Sequence, residues 1–379
     1  MLYILAMLFV LGVLVFIHEL GHFIVARLCG VRVEKFSLGF GPKLLGVKKG
    51  HTEYLISAFP LGGYVKMAGD EPDGDRSGAP WEFYAKKPWQ RIAVVFAGPF
   101  MNLVLAAAVF SGIFMVGMPV MTSKIGDIKK GYPADFAGLK KGDEIVALNG
   151  KPTKRWDELT KAIYGSAGKE CTFTIKRNVD INVEKTTLEV VQFRIRITPK
   201  EERLKDIFGN EHQIGIIGIT PSMELIKEKM GFFGAVRHGC AYTAQMTAMT
   251  YQGIWLLITR QIPANSIGGP ILIAKMAGET AKMGIVQLFN FLAVLSISLA
   301  VLNLLPIPIL DGGHIMFYTF EAVRRKPMSL KAQLIAQKAG LAILVALMVF
   351  ATYNDVTRFA DSIKNMGKKI YGLVSPEKK

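Results

Sequence analysis

The sequence predicts an α-helical polytopic membrane protein with about four transmembrane helices, a membrane-associated β-hairpin and one inserted α+β domain. Three observations predict it. Hydrophobic residues make up 51% of the 379 residues, and the mean hydropathy is +0.31. Apolar runs of membrane length recur near 2–26, 92–123 and 285–310, with a shorter one at 339–353. Between the second and third runs the composition switches to charged residues of both signs. The expected organisation is an N-terminal membrane core at 1–120 with two spans and the hairpin region. An inserted domain follows at 121–200, then a linker with amphipathic or interfacial helices at 201–284. A C-terminal membrane core with two spans and a tail occupies 285–379.

The first run, Leu2 to Ala26, is long enough to cross a hydrocarbon core of about 30 Å at about 1.5 Å per residue. A secretory signal peptide would carry positive charge before its apolar stretch, and here none occurs until Arg27. Arg27, Arg32 and Lys35 after the run place that end in the cytoplasm. Within it lies HELGH, His18 to His22. Ionisable groups inside a span are costly and usually functional. His18 and His22 are one turn apart on one helix face, the spacing at which two imidazoles hold one zinc ion. Glu19 stands beside them, placed to take a proton from a metal-bound water, and Gly21 leaves room for close approach.

The second run, Ile92 to Ser123, contains no charged residue. Gly98 and Asn102 near its start serve either close helix packing or the metal site and a substrate there. Between the two runs, FSLGFGPKLLGV and TEYLISAFPLGGYVKM are short β-prone segments punctuated by Gly and Pro. They form a hairpin, either wholly cytoplasmic or dipping beside the active site.

Residues 124 to about 230 look soluble. In GYPADFAGLKKGDEIVALNGKPTKRWDEL, from Gly131, turns fall at Ala137-Gly138-Leu139 and Lys141-Gly142-Asp143. A strand runs from Glu144 to Leu148, Asn149-Gly150 makes a tight hairpin turn, and a short helix spans Trp156 to Tyr164. Two further strands are CTFTIKR and LEVVQFRIRI. The stretch 121–200 resembles a PDZ domain of bacterial envelope proteases, a fold whose strand edge and groove take an extended peptide.

The third run ends in NLLPIPILDGGH, Asn303 to His314. Pro306 and Pro308 cannot continue a regular helix, and backbone freed at that depth needs protein or a water-filled cavity to satisfy it. Peptide-hydrolysing zinc sites commonly use two His, one carboxylate and an open position for water. Asp311 completes such a set with His18 and His22; His314 competes for the place, and a plain helix-end cap is the other reading of Asp311.

Together these motifs resemble the site-2 protease family, and within it the RseP-like bacterial branch. The resemblance covers nearly the whole chain, although the best-known members carry two PDZ domains and only one is visible here. It implies a zinc-dependent membrane metalloendopeptidase that cuts transmembrane segments of single-span proteins in regulated intramembrane proteolysis, anti-sigma factors among them. It implies Zn2+ held by His18, His22 and Asp311, Glu19 as catalytic base, and Asn303 holding the substrate backbone. The implied setting is a bacterial inner membrane, with lipid around the spans and the PDZ domain on the extracytoplasmic side.

Orientation supplies a check. For His18 and Asp311 to meet one ion, the first and third spans must run parallel, with one crossing between them. The apolar stretch 231–260 is therefore expected to be interfacial, with His238 an interfacial histidine. The basic loop RRKPMSLKAQLIAQK suits the cytoplasm, whereas the tail with Lys364, Lys368 and Lys369 falls outside, against the charge rule. The formal charge of +16 is spread along the chain, as in loops beside an anionic membrane, and does not argue for nucleic acid. The three scattered cysteines, Cys29, Cys171 and Cys240, make neither a disulfide framework nor a CxxC site. A metal transporter and a non-catalytic scaffold binding membrane peptides are the rival readings. The first does not need Glu19 as a base, and the second needs no metal.

Overall fold

Each backbone N–H of the N-terminal apolar run must be bonded within the segment if it lies in oil, so a helix is the available form. In the computed structural model it is α1 (Leu2–Leu28). The structure describes residues 1–70, 77–180, 188–205, 211–326 and 328–374. After α1 come β1 (Val33–Lys49), β2 (Thr52–Met67), α2 (Pro88–Val116), β3 (Met118–Met121) and β4 (Ile125–Ile128). Next are α3 (Pro133–Phe136), β5 (Glu144–Leu148), β6 (Lys151–Pro152), α4 (Trp156–Tyr164), β7 (Cys171–Asp180) and β8 (Leu188–Ile197). Four short strands follow: β9 (Lys200–Lys205), β10 (Glu211–Ile216), β11 (Ile219–Pro221) and β12 (Leu225–Glu228). The chain closes with α5 (Phe232–Ile258), α6 (Pro270–Met283), α7 (Ile285–Asn303), α8 (Asp311–Arg324) and α9 (Leu330–Val374).

Two compact units result, Met1–Ile113 with Phe232–Lys379, and Phe114–Gly231. In the first, α1, α2, α7 and the Lys331–Arg358 stretch of α9 are four helices long and apolar enough to cross a membrane. Phe9 meets Phe289, and His18 lies beside Asn303, so α1 and α7 run parallel. On α2, Val94 reaches His22 and Asn102 reaches His18, so α2 runs antiparallel to α1. Ala6, Val10, Leu14, Leu288, Phe291 and Leu292 form the buried seam between α1 and α7. The helix α2 stops short of the expected Ser123, because Gly117 takes φ +106 and turns the chain into β3. The stretch expected to be interfacial is α5, which packs on α2: a Cβ on Gly239 would stand 2.3 Å from Ser111 Oγ. The short run 339–353 lies inside the longer α9; the side chains of Lys364, Lys368 and Lys369 lie outside the described residues.

The hairpin of β1 and β2 folds back on itself. Phe36 pairs with both Tyr54 and Val65, so the first half of β1 is flanked on both sides by halves of β2. The segment from Gly63 to Met67 thereby becomes an edge, and among the described residues no further strand pairs with it.

The second unit is a sheet of order β6-β5-β7-β8 packed against α4, with Ile145, Leu159, Phe173 and Ile175 in its core. Asp143 in the Lys-Gly-Asp turn is buried and accepts two hydrogen bonds from the Arg177 guanidinium, each at 2.7 Å. The unit is wider than 121–200. The expected linker from 201 contains β10 to β12, and β11 returns to pair with β4 while β12 pairs with β3.

Two buried charges tie the first unit together. Asp355 on α9 accepts the N–H groups of Gly269 and Leu272, each at 2.9 Å, and so caps α6 from another helix. Arg91, 3% exposed, pairs with Glu321 of α8 and lies 4.7 Å from the Tyr318 ring centroid. Removing one partner of such a pair strands the other charge. Arg91→Ala should therefore lose about 3–5 kcal/mol of stability, while the paired replacement Arg91→Leu with Glu321→Leu should recover most of it. Thermal unfolding in detergent measures both.

Candidate metal centre

The site begins with the register of α1. His18 and His22 stack one above the other, with ring centroids 4.8 Å apart and Nε2 atoms 3.2 Å apart. His22 Nδ1 lies 2.9 Å from the carbonyl oxygen of Val94 on α2. A carbonyl only accepts, so the proton sits on Nδ1 and the Nε2 lone pair is left free. For His18, the Asn102 carboxamide lies 3.3 Å from Nδ1. A His18 that offers Nε2 to a metal carries its proton on Nδ1; the Asn102 nitrogen faces that atom while the buried amide oxygen has no partner, and turning the amide over lets the oxygen accept. Asn102 is wholly buried, and its backbone carbonyl accepts a 2.7 Å hydrogen bond from Ser296 Oγ on α7.

The carboxylate arrives from the opposite direction. After α7 ends at Asn303, the prolines hold the chain out of a helix, and α8 opens at Asp311. The two glycines that follow are steric requirements. A Cβ on Gly312 would stand 2.3 Å from the Leu305 oxygen, and one on Gly313 2.3 Å from the Ile307 oxygen. Only glycines let the start of α8 press against the broken segment. Asp311 Oδ2 is then 3.2 Å from His18 Nε2, and Oδ1 is 3.7 Å from His22 Nε2.

These separations test the fit of a metal. Tetrahedral zinc with ligands at about 2.0–2.1 Å has ligand atoms about 3.3 Å apart. The three atoms, from two histidines and one carboxylate, lie within 4.8 Å of one another and fit that geometry. Glu19, His22, Val65, Asp311, His314 and Tyr318 are among the residues that line a cavity at this point, so a fourth position opens to space.

The other candidate residues divide between the two sides of the site. Asn303 Nδ2 lies 3.4 Å from His18 Nε2 and is partly exposed. Gly98 and Asn102 lie on the packed side. A Cβ on Gly98 would fall 2.3 Å from His22 Nε2 and 2.9 Å from His18 Cε1, and Asn102 is closed off behind His18. On that side both lie directly against the imidazole rings. Gly21 makes the same helix crossing possible, since a Cβ there would meet the Ala97 oxygen at 2.3 Å. His314 lies on the same cavity, stacked 6.3 Å from Tyr318, and falls outside the cluster of three ligand atoms.

Sequence reasoning missed several neighbours. The Val94 carbonyl is backbone and has no signature. Gly63, whose Cβ would lie 3.1 Å from Glu19 Cγ, brings the hairpin edge against the site; only the Gly-Gly pair in PLGGYV hinted at a close approach. Ser296 looked like one more small residue in an apolar helix.

A model of peptidase family M50 matches residues 6–347. A protein of Agrobacterium fabrum named "Putative zinc metalloprotease" is 34% identical over 371 residues, covering 94% of this chain and 96% of that one. A Rhizobium meliloti protein of the same name is 37% identical over 365 residues, covering 92% and 95%. The solved PDZ domain of an SdrC-like protein from Listeria monocytogenes is 21% identical, covering 27% of this chain and 85% of that one. Its TM-score is 0.16, too slight a likeness to argue from.

The glycine geometry yields a direct test. Gly98→Ala places a methyl group where the His22 ring lies, and the α1–α2 crossing leaves little slack. Zinc per protein, measured by atomic absorption on the purified variant, should fall several-fold, whereas Gly112→Ala on the same helix, with open space around it, should leave it unchanged.

Proposed function

Because the chain belongs to peptidase family M50 and is therefore a zinc-dependent metallopeptidase, we propose that it hydrolyses peptide bonds within transmembrane segments of other membrane proteins. The observation that carries this is the convergence of His18, His22 and Asp311 on α1 and α8, inside a bundle of helices apolar enough to span. Single-span proteins are the substrate class, anti-sigma factors among them, in regulated intramembrane proteolysis. The chain is placed in a bacterial inner membrane, with the ligand end of α1 toward the cytoplasm and the inserted unit outside. The basic residues after α1 support that orientation.

His18, His22 and Asp311 would hold zinc, which would supply a Lewis acid toward the scissile carbonyl and toward a water. Glu19, on the same cavity, is placed to serve as the base that takes a proton from the attacking water and returns it to the leaving amine. A helical peptide bond is shielded by its own turn, so the substrate has to be drawn out into an extended form. The free edge from Gly63 to Met67 offers strand pairing next to Glu19, and Asn303 offers an amide donor to the substrate backbone. Neither rival reading accounts for a glutamate beside the ligands and an open strand edge at once.

The inserted unit takes the role of a PDZ-type filter. A groove between α4 and residues 216–221, lined by Trp156, Thr160, Ile163 and Tyr164, is open to an extended peptide. It contributes none of the proposed ligands and acts on access alone.

Glu19→Gln should keep zinc and abolish cleavage of a model transmembrane peptide, since it removes the base and leaves the three ligands. Wild-type turnover in that variant would refute the mechanism, and Asp311→Ala should lose both zinc and activity. The strand pairing of β11 with β4 means that the filter must be excised whole. Replacing Lys124–Ser222 by a short Gly/Ser linker retains the ladder of β3 with β12. Zinc and cleavage of a short peptide should survive, while the preference for truncated over bulky-ectodomain substrates should fall. An unchanged ratio of the two cleavage rates would exclude the filter role.

A further inference from the structure

The end of α1 carries a second concave feature that takes no part in the hydrolytic site. A cleft of about 330 Å³ is lined by Arg27, Arg32, Lys49, His51, Thr52 and Trp81 among others, and no acidic side chain among the described residues lines it. That size suits a small-molecule site. Its walls come from four places: the last turn of α1, the chain entering β1, the turn joining β1 to β2, and Trp81 from the stretch before α2. Gly30, at φ +69, makes the bend between the first two, and a Cβ there would lie 3.3 Å from Lys86 Nζ, so a further ammonium group stands at the rim.

Among the described residues, Arg27, Arg32, Lys49, His51 and Lys86 form no ion pair. Their recorded side-chain contacts are with aromatic faces: Arg27 lies 5.5 Å from the Phe23 centroid and Arg32 4.6 Å from that of Trp81. The carbonyl end of α1 offers a partial negative charge of about 0.5, far too little to balance them. Surface lysines scattered singly would need no explanation. Cations gathered from separate segments around one hollow do, because together they make a positive potential that an anion held there would relieve.

We infer that this cleft binds the phosphate headgroup of an anionic phospholipid. Position selects a lipid over a soluble phosphate. The cleft lies at the end of a membrane-length helix, where headgroups lie, and Trp81 is 43% exposed beside it, as aromatic residues are at that level. Leu28, 79% exposed, and Ile24, 40% exposed, offer apolar surface on the same last turns of α1 for an acyl chain. Arginine supplies forked donors that match phosphate oxygens, and the lysines supply point charge. A bound lipid would brace the turn of the hairpin against α1, at the opposite end of β2 from the edge beside Glu19.

The test uses the full-length protein in neutral detergent. Binding of a fluorescent short-chain phosphatidylglycerol is compared with the matching phosphatidylcholine, and inorganic phosphate is added as competitor. Arg27→Gln/Arg32→Gln/Lys49→Gln is compared with a control that removes three exposed cations of the inserted unit, Lys130→Gln/Lys141→Gln/Lys161→Gln. Phosphatidylglycerol should bind wild type more tightly than phosphatidylcholine. The cleft variant should weaken it by about tenfold or more, with zinc content unchanged, and the control should not. Should the triple variant unfold early, Arg27→Gln/Lys49→Gln, both at exposed side chains, carries the same comparison. Equal binding of the two lipids, or equal loss in cleft variant and control, would overturn the inference. Inorganic phosphate competing at the lipid's own affinity would overturn the lipid as ligand.

Discussion

His22 hands its Nδ1 proton to the carbonyl of Val94 across 2.9 Å, and most of the membrane core is arranged around that contact. An imidazole in a low-dielectric interior needs a partner for its N–H, and the partner chosen decides which nitrogen is left for a metal. The contact demands that α2 lie almost against α1. That closeness is possible only because Gly21 and Gly98 lack side chains at the crossing. It also places Asn102 at His18, about two turns further along α2, so a single helix–helix approach orients both rings. Packing and chemistry are one constraint here.

The second half of the site obeys a different requirement. A continuous helix through 303–311 would bond its own backbone groups and carry Asp311 round the axis with the helical period. The two prolines prevent this, and the paired glycines after Asp311 let α8 begin against the exposed carbonyls. The broken segment satisfies part of its own backbone by tight turns, Ile307 N–H to the Leu305 oxygen at 2.7 Å and Leu310 N–H to the Ile307 oxygen at 2.9 Å. Arg91 and Glu321 then fasten the far part of α8 to the start of α2. Both histidine partners and the carboxylate are thus referred to the same helix, α2, which supplies none of the proposed ligands.

Much of this was legible because the chemistry is written in residue types that a membrane span would otherwise exclude. His18, Glu19 and His22 stand out by polarity alone, and the requirement that α1 and α7 run parallel followed from counting crossings. What stayed hidden was contact through backbone and through the absence of atoms. Nothing in the sequence distinguishes the Val94 carbonyl from its neighbours, and Gly98 pointed equally to helix packing and to the site, which turn out to be the same place. Asn102 and Gly98 were expected at a substrate; the side chains show which face of the histidines each occupies, and spacing alone cannot. The inserted unit was read too short because β11 and β12 are brief and pair with strands nearly a hundred residues earlier, a separation no local pattern reports.

The metal and the fold are coupled through the same geometry. Asp311 opens a helix that nothing before it in the chain holds rigidly, since the segment from Leu304 to Leu310 is neither helix nor strand. Zinc held by the three proposed ligands would tie that carboxylate to two rings of α1, and the metal would then be a cross-link between α1 and α8. The glycine contacts and the Arg91 pair must therefore keep α8 near its place for the ion to find three ligands at once. Preorganisation by packing and completion by metal divide the work: the first sets where the carboxylate can be, and the second decides how firmly it stays.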